Sequence, residues 1–276
     1  MPMIGTLTTT ERVLRVRLRE GSATAEERDD ELAVEEPLEI RIDGQSWSIT
    51  MRTPGDDLDL VAGFLVGEGV ITSPSHLASL GLPAGALDGN SVNAVLAPGA
   101  RPPAEAAARH SVTTSACGIC GTESIEAINK EARWSLEEDQ SVIGAPVLAG
   151  LPDRLRSGQA IFDSTGGVHA AGLFTAAGDL LCVREDVGRH NAVDKVVGWA
   201  LRQDLLPLRG TVLQVSGRAS FELVQKARLA GIPVLAAVGA PSSLSRDLAQ
   251  SSGLTLVGFS RTTGFNVYTH PRRVGI

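Results

Sequence analysis

The sequence predicts an α/β fold with a smaller β-containing lobe towards its N-terminus, and three observations predict it. From Ala160 onward, short apolar runs alternate with apolar stripes at helical spacing, the pattern of a sheet covered by helices with several strands parallel. At 276 residues the chain can bury a sizeable core, enough for one large domain or a principal domain with a smaller lobe. Hydrophobic residues make up 43% and aromatics only 4%, with a formal net charge of -7, the composition of a soluble α/β protein.

In chain order, Leu14, Val16 and Leu18 alternate with arginines as an edge strand would, and the polar stretch from Ser22 to Glu31 reads as a loop. Leu38, Ile40 and Ile42, the Asp43-Gly44 turn, then Trp47, Ile49 and Met51 form a hairpin signature. Leu58, Val61, Ala62 and Leu65 follow at helical spacing, behind the carboxylates of Asp56 and Asp57 and ahead of Gly67 and Gly69. Between Ser73 and Arg109, rich in Pro, Ala and Gly, loops surround one alternating stretch, Val92 to Leu96.

Farther on, strands are expected at Leu180 to Val183, Val212 to Val215, Pro233 to Val238 and Leu254 to Val257, and helices at Asn191 to Leu201, Ala219 to Ala230 and Ser243 to Gln250. The chain then divides into a peripheral segment at 1–33, the smaller N-terminal lobe at 34–110 and the α/β core at 111–276.

Charge and segment lengths exclude several classes. An acidic chain without a dense Lys/Arg stripe is a poor polyanion binder, so no nucleic-acid partner is expected. No run approaches the roughly 18 apolar residues of a membrane helix, and Met1 to Thr10 lacks the features of a secretion signal, so a cytoplasmic protein with no membrane partner is expected. Three cysteines, two of them in one C-x-x-C, do not make a disulfide framework.

Cys117-Gly-Ile-Cys120 precedes a helical pattern in which Thr122 is a plausible N-cap and Ile125 and Ile128 face inward. A helix start favours the thiolate and lowers a cysteine pKa below about 8.5. The pair therefore reads as a reactive thiol centre. Zinc is the first rival, but one C-x-x-C supplies two of roughly four ligands, and the H-x-E partner of zinc nucleobase deaminases is absent, since Ser111 and Val112 follow His110. A thioredoxin-like dithiol fits less well, because the motif does not follow an early βαβ unit. No bound metal is expected. Cys182, between Leu181 and Val183, reads as a core residue.

Three strands of the second half run into small or cationic residues: Ser216-Gly217-Arg218, Gly239 to Ser243, and Phe259-Ser260-Arg261-Thr262-Thr263-Gly264. Ligands of open α/β sheets bind beyond the carboxyl ends of strands, and arginine forks suit phosphate, so a nucleotide or pyrophosphate is expected there. Turn formation is the better account of any one of these loops alone; three together, two carrying an arginine, bring the two readings level. His190 reads as a cap-region hydrogen-bonder or a proton-transfer residue, and Phe162 to His169 as a tight turn.

Taken together, Arg52-Thr-Pro-Gly-Asp-Asp, Gly63-Phe-Leu-Val-Gly-Glu-Gly69, the Cys117 to Gly121 core, Phe162-Asp-Ser-Thr-Gly-Gly-Val-His-Ala-Ala-Gly172, Arg184-Glu-Asp-Val-Gly-Arg-His-Asn-Ala-Val-Asp-Lys195, Ser216-Gly-Arg-Ala-Ser-Phe-Glu222 and Asn266-Val-Tyr-Thr-His-Pro271 resemble the formate dehydrogenase accessory sulfurtransferase (FdhD) family. They span roughly Val34 to Val274. The resemblance implies a cytidine-deaminase-like three-layer core, a homodimer, and a cytoplasmic sulfurtransferase. That protein would accept sulfur from a cysteine desulfurase and pass it to the bis-molybdopterin guanine dinucleotide form of the molybdenum cofactor, its cargo, for insertion into formate dehydrogenase. On this likeness Cys117 carries the persulfide, Cys120 assists, and Phe259 to Gly264 hold the cofactor. Ser216, Gly217 and Arg218 join that site, where Arg218 and Arg261 would neutralise pyrophosphate. The alternatives are a cofactor-binding chaperone that carries no sulfur and a zinc-dependent deaminase-like enzyme.

Overall fold

A computed structural model describes residues 6–83, 89–100, 111–112, 130 and 132–276. Cys117, Cys120 and the helix expected after them lie outside the described residues.

The chain opens with an antiparallel ribbon, β1 (Thr8–Arg19) and β2 (Ser22–Ala33), joined at Gly21. The first strand was expected. The second replaces the loop expected at Ser22 to Glu31: it has no apolar alternation to announce it, and cross-strand pairs hold it instead, Arg12 with Asp29 at 2.9 Å and Arg17 with Glu26 at 3.0 Å. The expected hairpin follows as β3 (Glu36–Ile42) and β4 (Gln45–Arg52), then α1 (Asp57–Gly67). β5 (Leu77–Gly81), β6 (Ser91–Leu96) and β7 (Ser111–Val112) complete a five-stranded sheet in the order β5-β6-β3-β4-β7.

Next come β8 (Ile143–Gly144), α2 (Ala145–Arg156) and α3 (Ala160–Thr165). In place of a tight turn at Phe162 to His169 stands this short helix. The Glu185 carboxylate accepts from the Ile161 and Phe162 N–H groups at 2.8 and 2.9 Å, and left-handed Gly166 ends the helix. A cap supplied from 24 residues away leaves no local signal.

The remaining elements are β9 (His169–Thr175), β10 (Leu180–Asp186), α4 (Arg189–Arg202), β11 (Thr211–Val215), α5 (Phe221–Leu229), β12 (Val234–Ala237), α6 (Ser243–Ser251), β13 (Thr255–Arg261), β14 (Gly264–Val267) and β15 (Val274–Gly275). Six of these strands form one sheet in the order β10-β9-β11-β12-β13-β14. Its centre, β11-β12-β13, is parallel, as the strand and helix alternation predicts, and its flanks are antiparallel.

Both faces of this sheet are covered, which is why β12 reads as a continuous apolar run. Val212, Val234, Ala236 and Val257 pack on α2 with Phe174 and Leu151. On the other face Leu213, Leu235 and Leu256 join a core that also takes in α1, α4, α5 and the inner side chains of β3 and β6. The α1–α4 crossing is very close: a Cβ on Gly63 would lie 1.8 Å from the Asp194 carbonyl oxygen, and one on Gly198 1.8 Å from that of Asp59. No helix among the described residues is long and apolar enough to cross a membrane.

Candidate functional site

Parallel pairing puts the carboxyl ends of β11, β12 and β13 on one edge, and the loops beyond them continue the sheet's order. Val238 N–H donates to Val215 O at 3.1 Å, Gly239 N–H to Gly217 O at 2.9 Å and Phe259 N–H to Gly239 O at 3.1 Å. The loops Ser216–Arg218 and Phe259–Gly264, picked out separately in the sequence, thus flank one intervening loop. Gly239 must lack a side chain, since its Cβ would stand 2.9 Å from the Arg218 side chain and 3.1 Å from Gly217 O.

The individual side chains of this edge differ in role. Ser216 accepts through Oγ from Ala170 N–H at 2.9 Å, so it ties β11 to β9. Gly217 lies against the His169 ring. Arg218 is exposed and makes no ion pair with a described residue. Arg261 is exposed but partly committed, its Nη1 donating to Val238 O at 2.8 Å and Ser260 O at 2.9 Å.

Pairing along β13 and β14 shifts register between Gly258 and Arg261, and in that bulge Phe259 takes φ 53° with its ring half exposed. A non-glycine residue there is uncommon and strained, and such strain collects at binding sites. Ser260 beside it is fully buried, and its Oγ has no hydrogen-bond partner among the described residues. Thr262 and Thr263 make the exposed two-residue turn between Arg261 and Gly264.

Because β9 and β10 run antiparallel to β11 and to each other respectively, the start of β9 and the end of β10 reach this same edge. His169 arrives there, half-buried. Burial, with the positive charges of Arg189 and His190 beside it, holds its pKa below the ordinary histidine value. His190, in the first turn of α4, places Nε2 2.7 Å from Glu222 Oε2 in the first turn of α5, and 3.4 Å from Ser220 Oγ. Burial alone would raise the Glu222 carboxyl; the hydrogen bond and charge of His190 outweigh it and, with Lys226 and Arg189, hold it low.

His190 is therefore a hydrogen-bonder, as one of its two sequence readings has it, but to a carboxylate from another helix. Glu222 received no role from the sequence. Its only signal was membership of the Ser216 to Glu222 motif.

Other motif residues are scaffold. The fully buried Asp186 pairs with Lys195 Nζ at 2.9 Å and accepts from the N–H of Thr53 at 3.1 Å, of Gly188 at 2.8 Å and from Asn191 Nδ2 at 2.9 Å. Lys195 also donates to Thr53 O at 2.9 Å, locking the Arg52–Asp57 stretch onto the start of α4. Cys182 is buried in β10, and burial pushes its thiol up to about 12, which makes it the core residue expected. Chemically, this edge offers an uncommitted cation, Arg218, suited to an anionic ligand, with strained backbone at Phe259 and a histidine–carboxylate pair beside it.

A sequence model of the FdhD/NarQ family matches residues 33–275. The sulfur carrier protein FdhD of Streptomyces avermitilis is 54% identical over 273 residues, 97% of this chain and 96% of its own length. That of Mycobacterium tuberculosis is 50% identical over 255 residues, covering 90% and 92%. The archaeal relative from Sulfolobus acidocaldarius, of the same name, is 42% identical over 251 residues, again covering 90% and 92%. Among solved structures, a protein of Desulfotalea psychrophila described as a formate dehydrogenase accessory protein matches with a TM-score of 0.76 at 25% identity, over 98% of this chain and 100% of its own.

Proposed function

The chain belongs to the FdhD/NarQ family, and from that premise we propose that it is a sulfur carrier serving formate dehydrogenase. The observation that carries this reading is the 54% identity to a sulfur carrier along 97% of the chain. Sulfur passes from the persulfide of a cysteine desulfurase to Cys117, with Cys120 assisting, and on to the bis-molybdopterin guanine dinucleotide cofactor held as cargo. Attack by the Cys117 thiolate on the outer sulfur of the donor forms one S–S bond as the donor's breaks, splitting one transfer into two steps. The protein acts in the cytoplasm as a homodimer.

Geometry supports the cargo site. The guanine dinucleotide carries pyrophosphate, and the strand-end edge meets it with Arg218, the free nitrogens of Arg261 and the strained Phe259 to Gly264 loop.

Incubation with a cysteine desulfurase and cysteine, followed by mass spectrometry, tests the carrier. The peptide containing Cys117 and Cys120 is expected to gain about 32 Da, removable by reductant. No gain, with formate dehydrogenase activation intact in Cys117→Ala, would instead support a chaperone that holds the cofactor without carrying sulfur.

A further inference from the structure

Neither ring nitrogen of His169 is hydrogen-bonded to a described residue, although the side chain is half-buried at the strand-end edge. Side chains alternate along β9, so His169 shares the face of Ala171 and Leu173, which pack into the core with α4 and α5. It stands one step beyond that core. Two carboxylates of this edge serve other groups: Asp186, opposite it in register, holds Lys195 and Asn191, and Glu222 holds His190. Half-buried ring nitrogens left unpaired by the protein are open to a ligand.

Gly217 shapes the space in front of the ring. A Cβ there would stand 3.6 Å from His169 Nδ1, 3.7 Å from its Cε1 and 3.9 Å from Arg189 Cδ, all ordinary contacts, and the Gly217 backbone is not left-handed. Neither sterics nor backbone conformation requires glycine at this position, in contrast to Gly239. The missing side chain leaves a slot walled by the Nδ1 edge of an imidazole and the stem of an arginine, with Arg218 the next residue along the loop. Close approach to backbone beside several cationic groups suits an oxyanion.

We propose that His169 is a further anion-binding residue of this edge, its Nδ1 donating to a phosphate oxygen seated in the slot over Gly217. The identity of the phosphate rests on the cargo reading of the preceding section, while the slot does not. Without an anion, burial first, then the charges of Arg189 and His190, keep the imidazole below the ordinary histidine value, and Asp186 offsets them only in part. A phosphate against the ring reverses that balance. The ring takes up a proton as the ligand binds, and affinity falls as pH rises between the free and the bound values.

Calorimetric titration of the full chain with guanosine diphosphate, in buffers of different ionisation heat between about pH 5 and 8, counts that proton. Wild type is expected to take up a proton fraction that His169→Gln does not, and His169→Gln to bind about tenfold more weakly with an unchanged melting temperature. Gly217→Ala, whose methyl group fills the slot without a clash, is expected to lose affinity and proton uptake together. Inorganic pyrophosphate is expected to show the same differences. Equal affinity and equal uptake in His169→Gln overturn the proposal and leave the cargo site standing. So does a wild type that binds the nucleotide with no proton uptake anywhere in that range, a result that needs no variant to fold. Guanosine weakened by His169→Gln as much as the diphosphate would put the base against the ring and overturn the proposal too. A wild type that binds neither guanosine diphosphate nor pyrophosphate overturns the cargo reading of the edge along with it.

Discussion

His190 Nε2 lies 2.7 Å from Glu222 Oε2, joining the first turns of α4 and α5. A carboxylate held low stabilises the fold above its unfolded value and ceases to do so as pH falls through the folded one. Glu222→Gln is expected to cost about 1–3 kcal/mol at pH 7, with the deficit shrinking below about pH 4. Urea unfolding at both pH values checks this; a deficit equal at the two would show that the carboxylate charge is not what matters.

The α1–α4 crossing has no room for a methyl group, because backbone faces backbone at Gly63 and Gly198. Gly63→Ala or Gly198→Ala is expected to destabilise by about 3 kcal/mol or more, the upper end of overpacking. Gly150 in α2 has nothing within 4 Å of its would-be Cβ, so Gly150→Ala should be neutral or up to about 1 kcal/mol stabilising. Thermal unfolding of the three variants decides, and a wild-type midpoint for Gly63→Ala would refute the crossing geometry.

Nucleotide affinity should rank the two arginines. Arg218 is uncommitted, while Arg261 spends Nη1 on Val238 O and Ser260 O. Arg218→Ala is expected to weaken guanosine diphosphate binding about tenfold or more and to flatten its salt dependence, with Arg261→Ala doing less. Calorimetric titration at two salt concentrations measures both; unchanged affinity in Arg218→Ala would move the pyrophosphate elsewhere.

The buried thiol of Cys182, pushed up to about 12, stays protonated at neutral pH. In Cys117→Ser/Cys120→Ser, a thiol reagent at pH 8 is expected to label nothing in the native state and one thiol per chain in denaturant. Rapid native labelling would place Cys182 at the surface.

Periodicity made much of this fold legible. The β3–β4 hairpin, α1 and the alternating second half each bury a face whose spacing is written locally. What escaped lacked a readable local signal. β2 is polar and held by its partner's arginines, α3 starts on Glu185, and α2 has Pro152 inside it, which hides a helix from local reading.

At the site, strand-end chemistry identified Ser216 to Arg218 and Phe259 to Gly264, and the motifs as a set pointed to the family. Sequence could not distribute roles among them. Asp186, Asn191 and Lys195 look as catalytic as His190 in one dimension; only packing shows three of them spent on holding the start of α4 and the fourth on Glu222.

By itself, then, the sequence determined the periodic elements, the parallel core and the residue types beyond its strands, because hydrophobic period and turn chemistry are local. Tertiary structure alone decided which loops lie side by side, which arginine remains uncommitted, and that His190 faces Glu222. Those depend on sheet order and on hydrogen bonds between residues tens of positions apart, for which a linear sequence carries no spacing rule.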